Sequence, residues 1–207
     1  MKVLALGAHP DDVEVGMGGT IAKYAEKGHE VLLVIATIPN NKTTREKEAK
    51  ASAKVLGAQL LLLNLEPEEI TFSRKLVCTI DHIIKDFLPD VVYTHWNHDS
   101  HQDHVAIANA TIASTRKNNS SLYMYEQTIP GGIVPYGFKP QVFVDITDVI
   151  EKKIESIRMH KSQLKVNGDW WIYGARGRAG YRGYQINVKY AEAFEVVRHL
   201  EKIKVVK

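Results

Sequence analysis

Cysteine is nearly absent from this chain. With Cys78 alone among 207 residues, no intrachain disulfide framework is possible, which suits a reducing compartment. Its place inside a helical pattern predicts a small buried apolar residue. Long apolar runs are missing too: no stretch approaches the ~20 residues of a membrane span. The apolar start MKVLALGAHP is too brief for a signal peptide before polar residues begin. The expectation is a cytoplasmic protein with no membrane partner. Nor is charge of one sign in excess. The 27 Lys+Arg against 24 Asp+Glu leave a net charge of +3, too weak to argue for nucleic acid. No repeat or low-complexity linker interrupts the chain, so residues 1–207 are expected to form a single domain.

What is present is a rhythm. KVLALG (2–7), EVLLVIAT (30–37), QLLLLNL (59–65) and DVVYTHW (90–96) are short, nearly continuous apolar runs, as strands buried on both faces require. Between them lie helical patterns: GTIAKYAEKG closed by Gly28, TTREKEAKASAKVLGA capped by Thr43 or Thr44 and closed by Gly57, and FSRKLVCTIDHIIKDF stopped by Pro89. A further helix is expected from about 101 to 117. Helical crossovers between consecutive buried strands predict an α/β, Rossmann-like, mostly parallel sheet flanked by helices. Beyond 120, SLYMYEQ and QVFVDI read as strands and DVIEKKIESIRMHKSQL as one long amphipathic helix. Residues 164–189 show no clear period, and YAEAFEVVRHL reads as a strand or a short helix.

Two polar clusters follow two of the strands. His9, Pro10, Asp11 and Asp12 come directly after the first, and HWNHDSHQDH (95–104) follows the fourth. In a parallel sheet both stand at the same edge, where ligands bind, so Asp12 and His104 can meet across the intervening chain. Imidazole and carboxylate are ordinary ligands of catalytic zinc, which keeps one position open. His9 with Asp12, and His101 with His104, have the spacing for this. Asp11 could then act as base toward a metal-bound water, and Asp103 could orient an imidazole. Simpler roles exist for the same residues. Asp11 or Asp12 could cap the following helix, Ser100 with Asp103 could form a capping box, and His95 and His98 read as surface-loop histidines.

The glycines at 16, 18 and 19 raise a phosphate-binding alternative. G-x-G-G is not the full G-x-G-x-x-G fingerprint, and Asp11, Asp12 and Glu14 stand where a pyrophosphate would sit. Like charges about 4 Å apart repel by about 4 kcal/mol at an effective dielectric near 20. A dinucleotide is not expected here without a metal.

These residues resemble the PIG-L/LmbE family of zinc-dependent N-deacetylases. The resemblance lies in A-H-P-D-D-V-E at 8–14 and H-x-D-H at 101–104, with R-E-K-E-A from Arg45 between them, and more weakly in HKSQL (160–164) and YAEAF (190–194). Gln102 stands where the family usually has proline. The resemblance implies one zinc per subunit on His9, Asp12 and His104, with Fe2+ or another divalent ion possible. It implies Asp11 as general base, and His101, held by Asp103, as the group that stabilises the oxyanion and assists amine departure. Arg45 matches a substrate-contacting arginine. The implied reaction removes acetate from an N-acetylglucosamine-containing small molecule. A metal-dependent hydrolase of another amide or ester bond, and a non-catalytic nucleotide-binding module, are the alternatives.

The segment 164–189 crowds Trp170, Trp171, Tyr173, Arg176, Arg178, Tyr181, Arg182 and Tyr184 together. It reads as a lid on which Arg176 and Arg178 bind an anionic aglycone, or as a subunit interface of a homo-oligomer. A stacking surface for RNA is the weaker reading, and no nucleic-acid partner is expected.

Overall fold

The computed structural model describes residues 1–127 and 130–201. Its elements, in order, are β1 (Lys2–Gly7), α1 (Asp12–Glu26), β2 (Glu30–Ile35), α2 (Lys42–Leu56), β3 (Gln59–Leu62), α3 (Arg74–Phe87) and β4 (Val91–His95). They continue as α4 (Gln102–Ser114), β5 (Ser121–Tyr125), β6 (Val142–Asp145), α5 (Ile150–Arg158), α6 (Lys161–Asn167), α7 (Trp170–Gln185) and β7 (Ala191–Arg198).

The seven strands form one sheet in the order β3-β2-β1-β4-β5-β7-β6. The first five are parallel, and β7 runs antiparallel to both β5 and β6. Alternation along β1 explains its continuous apolar run. Val3 and Ala5 enter one core with α1, α2, α5 and α7, whereas Leu4 and Leu6 enter the other with α3 and α4. The chain moves outward from β1 to β3 and then returns to place β4 on β1's other side, with Ala5 opposite Tyr93. The switch point therefore lies between β1 and β4, where a crevice opens at their carboxyl ends.

The glycines of α1 serve packing. A Cβ on Gly16 would lie 2.4 Å from the Tyr125 ring, and one on Gly19 would lie 2.7 Å from Ile146. The helix also breaks at Met17, whose φ of −148° is not helical. Beyond the break, the buried Glu192 carboxylate of β7 accepts from the main-chain N–H of Gly19 and of Thr20, at 2.9 and 2.7 Å. Lys153 donates to Glu192 at 2.5 Å and to the Val15 carbonyl at 2.9 Å.

Four expectations are corrected. The helix after 148 is two helices, because His160 leaves helical geometry (ψ 60°) and turns its ring toward Glu14. The region without period is helical, forming the end of α6 and all of α7, since Trp171, Ile172, Ala175 and Ala179 bury one face. Cys78 is exposed, because α3 turns Leu76, Ile80 and Ile84 inward instead. Helix α2 begins at Lys42 after Asn41, ahead of the threonines read as its cap.

Candidate functional site

Both polar clusters converge at the switch point. The turn after β1 places Asp11 at the N-cap of α1 with φ 95°, and its side chain makes no capping hydrogen bond. Aspartate tolerates the left-handed region better than most residues, but such backbone is strained and concentrates at functional sites. The carboxylate is thereby directed into a cavity of about 300 Å3, lined also by His9, Asp12, Arg45, His101 and His104. Capping therefore does not explain Asp11, and Asp12 is turned back to accept the N–H of His9 at 2.7 Å.

Asp12 is buried and is the hub of the cluster. Its Oδ1 lies 3.3 Å from His104 Nε2 and accepts from Gln127 Nε2 at 2.9 Å. Its Oδ2 lies 3.6 Å from His9 Nδ1 and 3.2 Å from His95 Nε2. The two outer histidines are held alike. His104 Nδ1 lies 3.0 Å from Asp99, and His9 Nε2 lies 2.9 Å from Asp103. A carboxylate on one ring nitrogen fixes a proton there and turns the other nitrogen toward Asp12, where a metal would take the place of that nitrogen's proton. One oxygen and two ring nitrogens thus converge, all within 4.8 Å of one another.

Electrostatics agree with a site built for positive charge. Burial opposes charge on His104, yet Asp12 and Asp99 push its pKa up to about 10. For His9 burial is likewise outweighed, chiefly by Asp12, and the ring titrates above its ordinary value. Asp12 is held far below the carboxylate range despite its burial, by His104 and His95. Asp11 behaves oppositely: burial first, then the neighbouring Asp12 charge, raise it to about 7. His160 and Arg45 restrain that rise. A divalent cation would supply the charge for which the three carboxylates now draw protons onto imidazoles. The donor set, two imidazoles and a carboxylate, fits catalytic zinc.

Several expectations change in detail. Asp103 pairs with His9, not with His101. The His101 ring instead accepts the Asp103 N–H at Nδ1, at 3.2 Å, which leaves Nε2 carrying the proton in the neutral ring. Burial, then the His104 charge, hold His101 below its usual pKa, favouring that neutral form. The cap of α4 is therefore His101 rather than Ser100. His95 is not a surface residue: it ends β4 fully buried, accepts the Ala8 N–H at 2.9 Å and stacks on His104 at 3.9 Å. His98 is exposed, beside the rings of Trp96 and Tyr136. Arg45 is buried at the cavity, donating to the Pro10 carbonyl at 3.0 Å and facing Asp11 at 3.4 Å.

Arg176 and Arg178 lie away from this cavity. Arg176 forms a two-pronged pair with Glu151 at 2.7 and 2.8 Å and lies over the Tyr190 ring. Arg178 turns inward to the Val15 carbonyl at 2.8 Å. Neither lines this cavity, although Arg178 lines the adjoining one with Trp170 and Trp171.

The first 115 residues decide the family: residues 4–115 match the profile described as GlcNAc-PI de-N-acetylase, PIG-L. The chain belongs to the PIG-L family. Similar proteins of this kind include a diacetylchitobiose deacetylase of Thermococcus kodakarensis, 28% identical over 95% of this chain and 83% of that protein. An uncharacterized deacetylase of Escherichia coli, YaiS, is 32% identical over 77% of this chain and 90% of its own. Among solved structures, the N,N'-diacetylchitobiose deacetylase of Pyrococcus horikoshii, complexed with an inhibitor, superposes with a TM-score of 0.81. It is 29% identical and matches 95% of this chain and 83% of that one.

Sequence reasoning missed Asp99, His95, Gln127 and the Glu14–His160 pair. Asp99 and His95 were inside the second cluster but had no spacing rule to assign them. Gln127 follows β5 with nothing local to mark it. His160 lies in the HKSQL stretch, where its motif was visible but its partner was not: Glu14 Oε1 is 3.0 Å away and also accepts from Ser52 at 2.6 Å.

Proposed function

We propose that this protein is a metal-dependent N-deacetylase that hydrolyses the acetamide of an N-acetylglucosamine-containing small molecule. The observation that carries it is the pairing of a two-imidazole, one-carboxylate donor set with a carboxylate outside that set, Asp11, poised near neutrality beside it. His9, Asp12 and His104 would hold one zinc per subunit, or another divalent ion such as Fe2+. Such an ion polarises a carbonyl and lowers the pKa of a bound water toward ~7.

The protein's own groups do the rest. Asp11 accepts the proton of the attacking water, and that same proton is the one the departing amine needs. His101 presents its Nε2–H to the negative charge developing on the acetyl oxygen, and the main-chain N–H at its Nδ1 keeps that tautomer. Arg45 positions Asp11 from behind while fixing the Pro10 carbonyl of the same turn. Water adds across the amide bond, giving acetate and the free amino sugar. The substrate is a small molecule, and the functional form is a homo-oligomer.

The test joins metal analysis of the purified protein to acetate release on N-acetylglucosamine, diacetylchitobiose and nucleotide-linked N-acetylglucosamine. We expect about one divalent ion per chain and chelator-sensitive release of acetate from at least one sugar. A metal-free protein that binds nucleotide, or one active only on esters, overturns the reading.

A further inference from the structure

The space around Asp11 and His104 continues past the proposed metal donors. A second cavity, of about 320 Å3, adjoins the first, and Val15, Pro130 and Trp171 line both. Val15 stands one turn after Asp12 on α1, so the two spaces meet beside the donor set. Each lies near the lower end of the ~300–1,000 Å3 of a ligand pocket. Together they suit a molecule of two parts, one of them the sugar that bears the acetamide.

The two spaces differ in charge. Asp11 and Asp12 line the first, whereas no carboxylate lines the second among the described residues. Arg178 is the one charged group there, on a wall otherwise apolar or glycine. That wall includes two adjacent tryptophans, of which Trp170 is 57% exposed. An apolar, aromatic wall with one fixed polar group is the usual make-up of a ligand site.

Arg178 is short of a counter-charge. Lys153, Arg178 and Arg182 gather around a small void behind this wall, and two of the three have carboxylates of their own. Lys153 pairs with Glu192, and Arg182 forms a two-pronged pair with Glu126. Arg178 has the Val15 carbonyl, which takes one of its five N–H donors at 2.8 Å. No carboxylate stands within ion-pair distance of it among the described residues. Burial opposes its charge first, and Glu126 and Glu192 offset this only in part, so the guanidinium is held below its usual pKa. A cation on an apolar wall is costly unless an anion meets it. The planar fork of a guanidinium matches carboxylate and phosphate alike.

We infer that the second cavity is a subsite for an anionic group, phosphate or carboxylate, that the substrate carries beyond its N-acetylglucosamine. Arg178 pairs with the anion, and the two tryptophans wall it in. Arg176, committed to Glu151, takes no part. The inference rests on the sugar reading above. The anomeric carbon adjoins the carbon that bears the acetamide, so an anomeric substituent lies within reach of this cavity.

Calorimetry on the full chain tests it, with deacetylated ligands that cannot turn over. Glucosamine 1-phosphate and the carboxymethyl glycoside of glucosamine are compared with the neutral methyl glycoside. At least one anion should bind about 10–100-fold tighter than the neutral ligand, and the better of the two identifies the group. Arg178→Gln keeps a donor for the Val15 carbonyl but removes the charge, and should erase that ratio. Gly174→Leu reaches the same cavity sterically. A Cβ there meets nothing within 4 Å among the described residues, and leucine favours a helix. By filling the space it should weaken the anionic ligand about tenfold or more relative to the neutral one, and it decides the matter if Arg178→Gln does not fold. Equal affinity for charged and neutral ligands, or a ratio that survives either substitution, overturns the inference and leaves the sugar site standing. Failure of all three ligands to bind overturns the sugar reading, and the inference with it.

Discussion

The parallel half of the molecule and its antiparallel half do different work. From β1 to α4 the chain supplies every proposed metal donor, the proposed base and His101, all at the carboxyl ends of β1 and β4. From β5 to β7 it supplies the supports. Gln127 braces Asp12, His160 braces Glu14, and the Lys153–Glu192 pair holds the break at Met17 in the helix that Asp11 and Asp12 begin. The contrast teaches that chemistry here is local to two loops, whereas the geometry of those loops is set from a distance.

Substitutions in the two halves should therefore fail differently. Asp11→Asn removes the base and keeps the donors, so kcat/KM for acetate release should fall by about 10²–10⁴ with metal content unchanged. Full activity in that variant would remove Asp11 from the chemistry. On the antiparallel side, Lys153→Met leaves the Glu192 carboxylate buried without its cation. It should cost about 3–5 kcal/mol in denaturant unfolding, because a buried charge loses its partner. If stability barely moves, the support assigned to this half is wrong.

Asp99→Asn lies between these cases, releasing the ring of His104 from its carboxylate. Metal affinity, measured by competition with a chelator, should weaken about 10–100-fold while the folded state persists. The pH dependence sharpens the same point. With His104 raised to about 10 in the metal-free protein, a metal must displace its proton, so apparent affinity should rise about tenfold per pH unit from about 6 to 8. A flat profile would show that His104 is not a ligand. The smallest effect is expected at Arg176, whose partner Glu151 is exposed. Arg176→Ala should leave KM unchanged and alter stability by about 1 kcal/mol at most.

Much of the parallel half was legible because its signals are short-range. Each strand is a continuous apolar run, each crossover has a helical period, and the two polar clusters sit where the runs stop. His9, Asp11, Asp12, Arg45, His101 and His104 could be named from those positions and from the family motif. Asp103 was expected to hold His101; its carboxylate lies on His9, and its main-chain N–H is the group that meets the His101 ring. The antiparallel half was harder. Glycines at 174, 177, 180 and 183 each disfavour a helix by about 1 kcal/mol relative to alanine, so no local rule favours α7. Burial of Trp171, Ile172, Ala175 and Ala179 overrides that preference.

The sequence by itself determined the alternation of strands and helices, and with it the sheet edge to which both His/Asp clusters belong, because period and turn chemistry act over a few residues. Only the tertiary structure decided which carboxylate holds which imidazole, that His95 is buried beneath them, and that Arg176 and Arg178 point elsewhere. The contacts of His9 with Asp103, His95 with Ala8 and Arg178 with Val15 join residues some 90 to 160 positions apart, where burial and charge, summed over the folded chain, outweigh anything a neighbour in sequence can dictate.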